Sequence, residues 1–369
     1  MSKFLILANH YNTLRIFRRE LIKEIVAQGH NIVVSIPPAD QENILLLESY
    51  GCRVVIIQME RRGINPFKDL VLLYRYIKLM IEEEPDKVIT YTIKPNIYGS
   101  LAAKIRKLPY YCNVTGLGSA FQTEGFIKQM ILKLYKLTMK KAEIVFFENS
   151  GNRDALTSRK VVDPRQTIVL PGAGVNLEEF IFVDYPPNEY KIELLFVGRI
   201  MREKGVDELF WAISKLKREN INLCFEFVGW YEDDYKSTVR EMEDKGLIRY
   251  HGFQKDVRPY IAKAHCVILP SYHEGMSNTL LEGAAMGRPL ITSNIPGCKE
   301  AVLDGQSGYL AKARDAKNLY EKIKQFIDLP YEEKKHMGIR GRRLMEDCFD
   351  KDRVVQMTIE HIMKHKESI

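Results

Sequence analysis

The sequence predicts an α/β protein built from two parallel-sheet domains. Three observations carry that prediction. Short apolar runs of the buried-strand type alternate with amphipathic helical stretches from Lys3 onward. The alternation pauses near Pro171 and starts afresh near Ile192. The 369 residues exceed what one hydrophobic core usually organises. Strand–helix–strand alternation implies parallel strands joined by right-handed crossovers.

The first apolar run, 3–8, reads as a buried strand. An amphipathic helix is predicted over Thr13 to Ala27, with Gly29 as its stop. Asn31 to Ile36 is the next strand, closed by Pro37 and Pro38, and Arg53 to Gln58, Lys87 to Tyr91, Tyr110 to Val114 and Glu143 to Phe147 follow as further strands. Helical patterns fill the intervals at 66–83, 95–107, 126–141 and 150–159. The second set has strands at Ile192 to Val197, Leu223 to Val228, Ile248 to Gly252, Cys266 to Leu269 and Leu290 to Ile291. Its helices are read at 205–218, 234–245, 256–263, 277–286, 315–328 and 331–346. The boundary falls between 172 and 190, where Pro186 and Pro187 lie in a polar linker, which gives domains of 1–175 and 176–349.

Hydrophobic content of 46% and charged content of 28% are those of an ordinary globular chain. No apolar stretch approaches the roughly 18 residues of a spanning helix, and the N-terminal run is too short for a signal peptide. The cysteines at 52, 112, 224, 266, 298 and 348 form no C-x-x-C pair, so packed thiols are expected rather than disulfides or a zinc site. The net charge of +7 is uneven: residues 1–175 carry 25 Lys and Arg against 16 Asp and Glu, and the remainder 30 against 32. The first half should therefore meet an anionic partner. A membrane surface or a diphosphate-bearing acceptor fits better than nucleic acid, for which no motif appears.

The chemistry concentrates in Ser271-Tyr-His-Glu-Gly-Met-Ser-Asn-Thr-Leu-Leu-Glu-Gly-Ala-Ala-Met-Gly-Arg-Pro-Leu290, directly after the strand at Cys266. Glu274 is placed in a strand-to-helix loop and Glu282 within the helix. Both lie near the strand's C-terminal end, where open α/β sheets bind ligands. The amides of Gly275, Met276 and Ser277 at the helix start suit an anion. Gly198-Arg-Ile-Met-Arg-Glu-Lys-Gly205 also follows a strand and opens a helix, and Arg199 and Lys204 add fixed cations for a phosphate. Read alone, this would be a solvated Arg and Lys at a turn, and the glutamates a surface pair. Apolar Leu280, Leu281, Ala284 and Ala285 around Glu282 argue against the surface reading.

Together these segments resemble the retaining glycosyltransferases of family 4, which have the GT-B fold of two Rossmann-like domains facing across a cleft. Glu274 and Glu282 match the E-x7-E signature, Gly198-Arg199 with Lys204-Gly205 the phosphate-binding segment, and Pro171-Gly-Ala-Gly-Val-Asn176 the interdomain segment. Tyr91-Thr-Ile-Lys-Pro-Asn-Ile-Tyr-Gly-Ser100 and Val114-Thr-Gly-Leu-Gly118 are similar to the subgroup that extends bacterial capsular and lipid-linked oligosaccharide chains. The resemblance implies a nucleotide-sugar-binding second domain and an acceptor-binding first domain, with a final helix at 350–366 crossing back to the first. It gives Arg199 and Lys204 the donor diphosphate, Glu282 the ribose hydroxyls and Glu274 the sugar hydroxyls.

Gly229, Trp230 and the His251–Gln254 segment end two strands of the second domain and are expected to line the nucleotide-base pocket, with Phe253 either touching the base or in the core. His273 beside Glu274 could act as a base, though that residue should lie on the donor side. Glu232-Asp-Asp234 does not match a metal-binding D-x-D and reads as an exposed helix start; no metal or other cofactor is expected. The loop after the first strand, Asn9-His-Tyr-Asn-Thr13, has no glycine, so Asn9, His10 and Asn12 are candidate side-chain contacts, Asn9 and His10 foremost. Lys94, Asn96, Thr115 and Gly116 are the other acceptor-side candidates. In the helix at 126–141, Lys133, Lys136 and Lys140 fall on one stripe, a candidate contact with an anionic membrane surface; a core helix with one wet face is the alternative.

The expected activity is transfer of a hexose or N-acetylhexosamine from a UDP-sugar to a surface-polysaccharide or lipid-linked glycan acceptor, at the cytoplasmic face of the cell membrane. A nucleotide-sugar epimerase of similar fold and a non-catalytic glycan or lipid binder are the rivals. An NAD-dependent oxidoreductase is disfavoured because no G-x-G-x-x-G follows the first strand.

Overall fold

In a computed structural model, which describes residues 1–60, 65–118, 121, 125–187, 191–219, 223–232 and 235–363, the strands form two sheets in which every pairing is parallel. The chain divides into two compact units, Met1–Ala173 with Asp352–Ile369, and Gly174–Lys351. The first break thus falls two residues before the 175 read from the sequence. The stretch 364–366 of the final helix lies outside the described residues.

The first unit holds a seven-stranded sheet of order β3-β2-β1-β4-β5-β6-β7. Its strands are β1 Lys3–Leu7, β2 Asn31–Ile36, β3 Arg53–Ile56, β4 Lys87–Tyr91, β5 Tyr110–Val114, β6 Ile144–Phe147 and β7 Thr167–Val169. Side chains alternate between two cores, as the two-residue strand period requires. Leu5, Leu7, Val88, Cys112 and Val145 face one side, against helices Pro66–Glu83, Ser100–Arg106 and Phe126–Met139. Phe4, Ile6, Ile89, Tyr111 and Phe146 face the other, where Leu21, Ile22 and Ile25 of helix Arg19–Ala27 meet Val354, Val355, Ile359 and Ile362 of helix Lys351–Met363. Lys87 Nζ donates to the Ile362 carbonyl at 2.6 Å and ties that helix down.

The second unit holds a six-stranded sheet of order β10-β9-β8-β11-β12-β13 around one core. Its strands are β8 Ile192–Val197, β9 Leu223–Val228, β10 Arg249–Tyr250, β11 Cys266–Leu269, β12 Leu290–Ser293 and β13 Gly308–Ala311. In both sheets the strand order reverses beside the first strand of the set: between β1 and β4, and between β8 and β11. Ligands of such sheets bind at the carboxyl ends of the strands that flank the reversal.

Local sequence explains most helix ends. Asn65 caps helix Pro66–Glu83 by accepting from the Lys68 amide at 3.2 Å, with Pro66 in the first turn. Asn149 and Asp315 cap the helices that follow them in the same way. The single helix predicted from Thr13 to Ala27 is instead two, Tyr11–Arg15 and Arg19–Ala27. Arg18 sits at the break, and its buried guanidinium donates to Glu148 at 2.7 Å and lies 4.9 Å from the Tyr91 ring centre. The stretch read as a helix over 95–107 begins with a π-helical turn, Pro95–Gly99. The edge strands β7 and β13 were not predicted: one is three residues long and the other begins with glycine, so neither carries a strand pattern. Five of the cysteines are buried, Cys348 is exposed, and all are free thiols.

Candidate active site

In the second unit the C-terminal ends of β8 and β11, hydrogen-bonded neighbours, deliver the two segments that carry the predicted cations and the first glutamate. Past β8 the chain turns through Gly198, Arg199 and a short 3-10 turn, Arg202–Lys204, into helix Val206–Arg218. Past β11 it runs through Pro270 and Glu274 into helix Asn278–Ala285. Two close backbone contacts fix these loops. Gly205 has φ +69°, and a Cβ there would stand 2.0 Å from the Pro270 carbonyl oxygen. Gly229, φ +138°, would place a Cβ 1.9 Å from the Gly198 carbonyl oxygen. Only glycine meets both the left-handed backbone and the missing space.

Lys204 Nζ forms an ion pair with Glu274 Oε1, and Ser271 Oγ donates to the same oxygen at 2.8 Å. Both partners are largely withdrawn from water, at 19% and 14% side-chain exposure, where a charge-assisted bond is stronger than on an open surface. Arg199 Nη1 donates to Glu232 Oε1 at 2.6 Å. The structure therefore brings Arg199, Lys204 and Glu274 to the sheet's reversal point and adds Glu232, which the sequence had assigned to an exposed helix start; Asp233 and Asp234 lie outside the described residues. The signal for Glu232 was its place just past the end of β9, beside β8.

Glu282 is partly buried on helix Asn278–Ala285, and its carboxylate has no hydrogen-bond partner among the described residues. Burial pushes its pKa up to about 7, against the pull of Lys351 and with a smaller push from Glu179. The two glutamates of the motif are thus chemically unlike: one is ion-paired, and the other titrates near neutrality. His273 is partly buried, its Nε2 is without a partner among the described residues, and burial holds its pKa below the ordinary value, so it is neutral at pH 7.

Two sequence expectations are corrected. The Ser277 amide is not open to an anion, because it donates to the Gly297 carbonyl at 2.9 Å. The Gly198 amide is likewise used, donating to Val228 at 2.9 Å in an extension of the β8–β9 ladder. Met276 turns its side chain into the core at 6% exposure, while its amide makes no hydrogen bond to another described residue. Phe253 is not a core residue: it is 57% exposed and packs against Trp230, 47% exposed, with ring centres 5.0 Å apart. This aromatic pair stands just past the ends of β9 and β10, with Gly229 beside it.

In the first unit the candidate residues follow β1, β4 and β5 at that sheet's own reversal. His10 caps helix Tyr11–Arg15 by accepting from the Asn12 amide at 3.1 Å, and its ring stacks on Tyr11. Asn9, Thr115 and Gly116 are partly exposed beside it in the topology. Asn96 is buried and its side chain is already used, and Lys94 is engaged in an ion pair within the first unit. Lys94 Nζ pairs with buried Asp69 at 2.7 Å. Asn96 is 1% exposed, accepts from Thr90 Oγ1 at 2.6 Å and donates to the Asn113 carbonyl at 2.8 Å. Between β4 and these residues Thr92 adopts φ +74°, an outlier for a β-branched side chain and a mark of strain that no sequence pattern signalled. Lys133, Lys136 and Lys140 are exposed together and, with Lys104 and Lys141, line a surface groove of about 440 Å³. Among the described residues no group of His, Cys, Asp and Glu is arranged to hold a metal ion, and no helix is long and apolar enough to cross a membrane.

Residues 3–149 match the family model described as glycosyl transferase 4-like, and residues 191–328 match that of the glycosyl transferases group 1. The chain is 29% identical over 328 residues to the N,N'-diacetylbacillosaminyl-diphospho-undecaprenol alpha-1,3-N-acetylgalactosaminyltransferase of Campylobacter jejuni, covering 85% of this chain and 86% of that one. It is 25% identical over 319 residues to the capsular polysaccharide biosynthesis glycosyltransferase CapM of Staphylococcus aureus, covering 82% and 83%. Its structure is similar to that of Anabaena HepE in complex with UDP and glucose, with a TM-score of 0.81 at 17% identity over 99% of this chain and 100% of the other.

Proposed function

Because the chain belongs to the 4-like, group 1 glycosyl transferases and has their GT-B fold, we propose that it transfers a hexose or N-acetylhexosamine from a UDP-sugar to a lipid-linked or capsular glycan, with retention of anomeric configuration. The observation that carries this reading is the grouping of Arg199, Lys204 and Glu274 at the ends of neighbouring strands where the sheet order reverses. Arg199 and Lys204 hold the donor diphosphate and neutralise the charge that grows on it as the anomeric bond breaks. Glu282 accepts hydrogen bonds from the ribose hydroxyls, Glu274 holds hydroxyls of the donor sugar, and Trp230 and Phe253 flank the uracil. The acceptor hydroxyl attacks on the face the diphosphate leaves, and the leaving diphosphate takes the proton. The chain's own contribution is positioning and electrostatics, with no metal required.

The relatives' names support the acceptor class: one acts on a diphospho-undecaprenol-linked sugar and another in capsule synthesis. The neighbour bound to UDP and glucose supports the donor class. An acceptor anchored in a bilayer calls for a peripheral enzyme at the cytoplasmic membrane face, and the lysine groove around Lys133, Lys136 and Lys140 supports that placement.

The test is to incubate the protein, with and without a chelator, with a panel of UDP-sugars and a lipid-diphosphate-linked saccharide, and to determine the product's anomeric configuration by NMR. An α-linked product from an α-linked donor, formed in the chelator's presence, is expected. An inverted product removes the retaining assignment, activity lost to the chelator removes metal independence, and an epimerised donor formed without acceptor replaces the transferase with an isomerase.

A further inference from the structure

Helix Pro66–Glu83 is apolar on two opposite faces. Leu72, Tyr76, Leu79 and Met80 face the sheet and are buried. Phe67, Leu70, Tyr74 and Ile81 point the other way at 83%, 62%, 65% and 51% exposure. Their spacing of three, four and seven places them on one outward stripe. Single exposed apolar residues are ordinary, but a stripe along one helix marks an interaction surface. Helix Phe126–Met139 packs on the same core of the same sheet face, so its outward side belongs to the same layer. That side carries Lys133, Lys136 and Lys140, with Phe126 at 81% and Leu137 at 51% exposure. The stretch 126–141 contains no Asp or Glu.

We propose that this helical layer docks on an anionic bilayer, with Phe67, Leu70 and Tyr74 entering the boundary between headgroups and acyl chains and the lysines of helix Phe126–Met139 over lipid phosphates. The inference deepens the membrane part of the proposed function and adds helix Pro66–Glu83 as the inserting element. Charge decides the occupant. A second copy seated here would bring two lysine-rich faces together, whereas an anionic surface complements them and accepts the apolar side chains. A tyrosine between apolar residues suits an interface that is apolar on one side and wet on the other.

The test uses the full chain with vesicles of pure phosphatidylcholine and of phosphatidylcholine mixed with phosphatidylglycerol. Wild type should sediment with the mixed vesicles, more weakly in high salt. Leu70→Glu with Tyr74→Glu should lower that binding roughly tenfold or more, since it removes insertion and adds repulsion. Lys133→Gln, Lys136→Gln and Lys140→Gln should each lower it by about fivefold, and only on the mixed vesicles. The substituted side chains are exposed, and an unchanged thermal midpoint and unchanged UDP affinity separate lost docking from lost folding or a failed donor site. Equal sedimentation of wild type and the Leu70→Glu, Tyr74→Glu protein overturns the proposal. A wild-type dimer that ignores vesicles and is split by those substitutions also overturns it, by assigning the stripe to a second copy.

Discussion

Lys204 and Glu274, 70 residues apart in the chain, meet in an ion pair at the ends of adjacent strands, with Ser271 donating to the same carboxylate oxygen at 2.8 Å. A diphosphate bound by Lys204 would have to draw the ammonium from this partner. Glu274→Gln therefore leaves Lys204 with a neutral neighbour. UDP affinity should stay the same or tighten, while kcat for transfer falls by roughly a hundredfold or more, the scale of a lost transition-state contact. Calorimetry with UDP and steady-state transfer check both. Lost UDP affinity would reverse the roles given to Glu274 and Glu282.

Glu282 should make donor binding depend on pH near neutrality. Its carboxyl is pushed up to about 7, and the ionised form is the better acceptor for two ribose hydroxyls. UDP affinity should rise as pH increases through about 7, and Glu282→Gln should bind UDP more weakly with a flat profile. The same carboxyl destabilises the fold. Between its ordinary 4.5 and about 7 the folded chain binds more protons than the unfolded one, so stability falls as pH rises through that window and stays lower above it. Glu282→Gln should be more stable than wild type at pH 8 by up to about 3 kcal/mol, and no more stable at pH 4. Denaturant titrations at the two pH values measure the difference.

Arg199 and Glu232 form the second ion pair of the site. Arg199→Ala should weaken UDP binding by roughly 1.5–3 kcal/mol, the scale of a hydrogen bond to a charged group. Glu232→Gln should tighten it, because the diphosphate then meets an Arg199 with no carboxylate competing for it. Calorimetry on both variants checks this; weaker binding by Glu232→Gln would mean that the carboxylate holds Arg199 in its binding position.

Gly205 and Gly246 offer a controlled pair. Both have left-handed backbone, at φ +69° and +61°, but a Cβ on Gly205 meets the Pro270 carbonyl while one on Gly246 meets open space. Gly246→Ala should cost about 1 kcal/mol from backbone strain alone. Gly205→Ala should cost clearly more and also weaken UDP binding by shifting the loop that carries Lys204. Equal losses of stability would mean the two loops separate freely.

The central strands were legible because each is a short apolar run between turn residues, and the ends of β8 and β11 were legible as ligand loops for the same reason. What escaped the sequence depends on contacts between distant segments. The Ser277 amide is closed by Gly297, which a local reading of a helix start does not see. Lys94 and Asn96 have the residue types of ligand contacts, yet Asp69 and the ends of β4 and β5 use them. Helix Pro66–Glu83 reads from the sequence only as a helical pattern; its place on the sheet reveals that one of its two apolar faces is uncovered.

The return of residues 352–363 to the first unit inverts the order in which the chain can mature during synthesis. The face of that unit formed by Phe4, Ile6, Ile89 and Phe146 is covered in part by Val354, Val355, Ile359 and Ile362. Those residues leave the ribosome only after Gly174–Lys351 has been made. The second unit encodes its whole core within one continuous stretch, 175–349, so it can close first. The ends of that stretch are already joined, the Val175 amide donating to Phe349 at 2.8 Å and the Lys351 amide to Val175 at 3.0 Å. Part of the apolar face of the nascent first half therefore stays uncovered until these last residues emerge, while its other core, built from residues 5–162, is already complete.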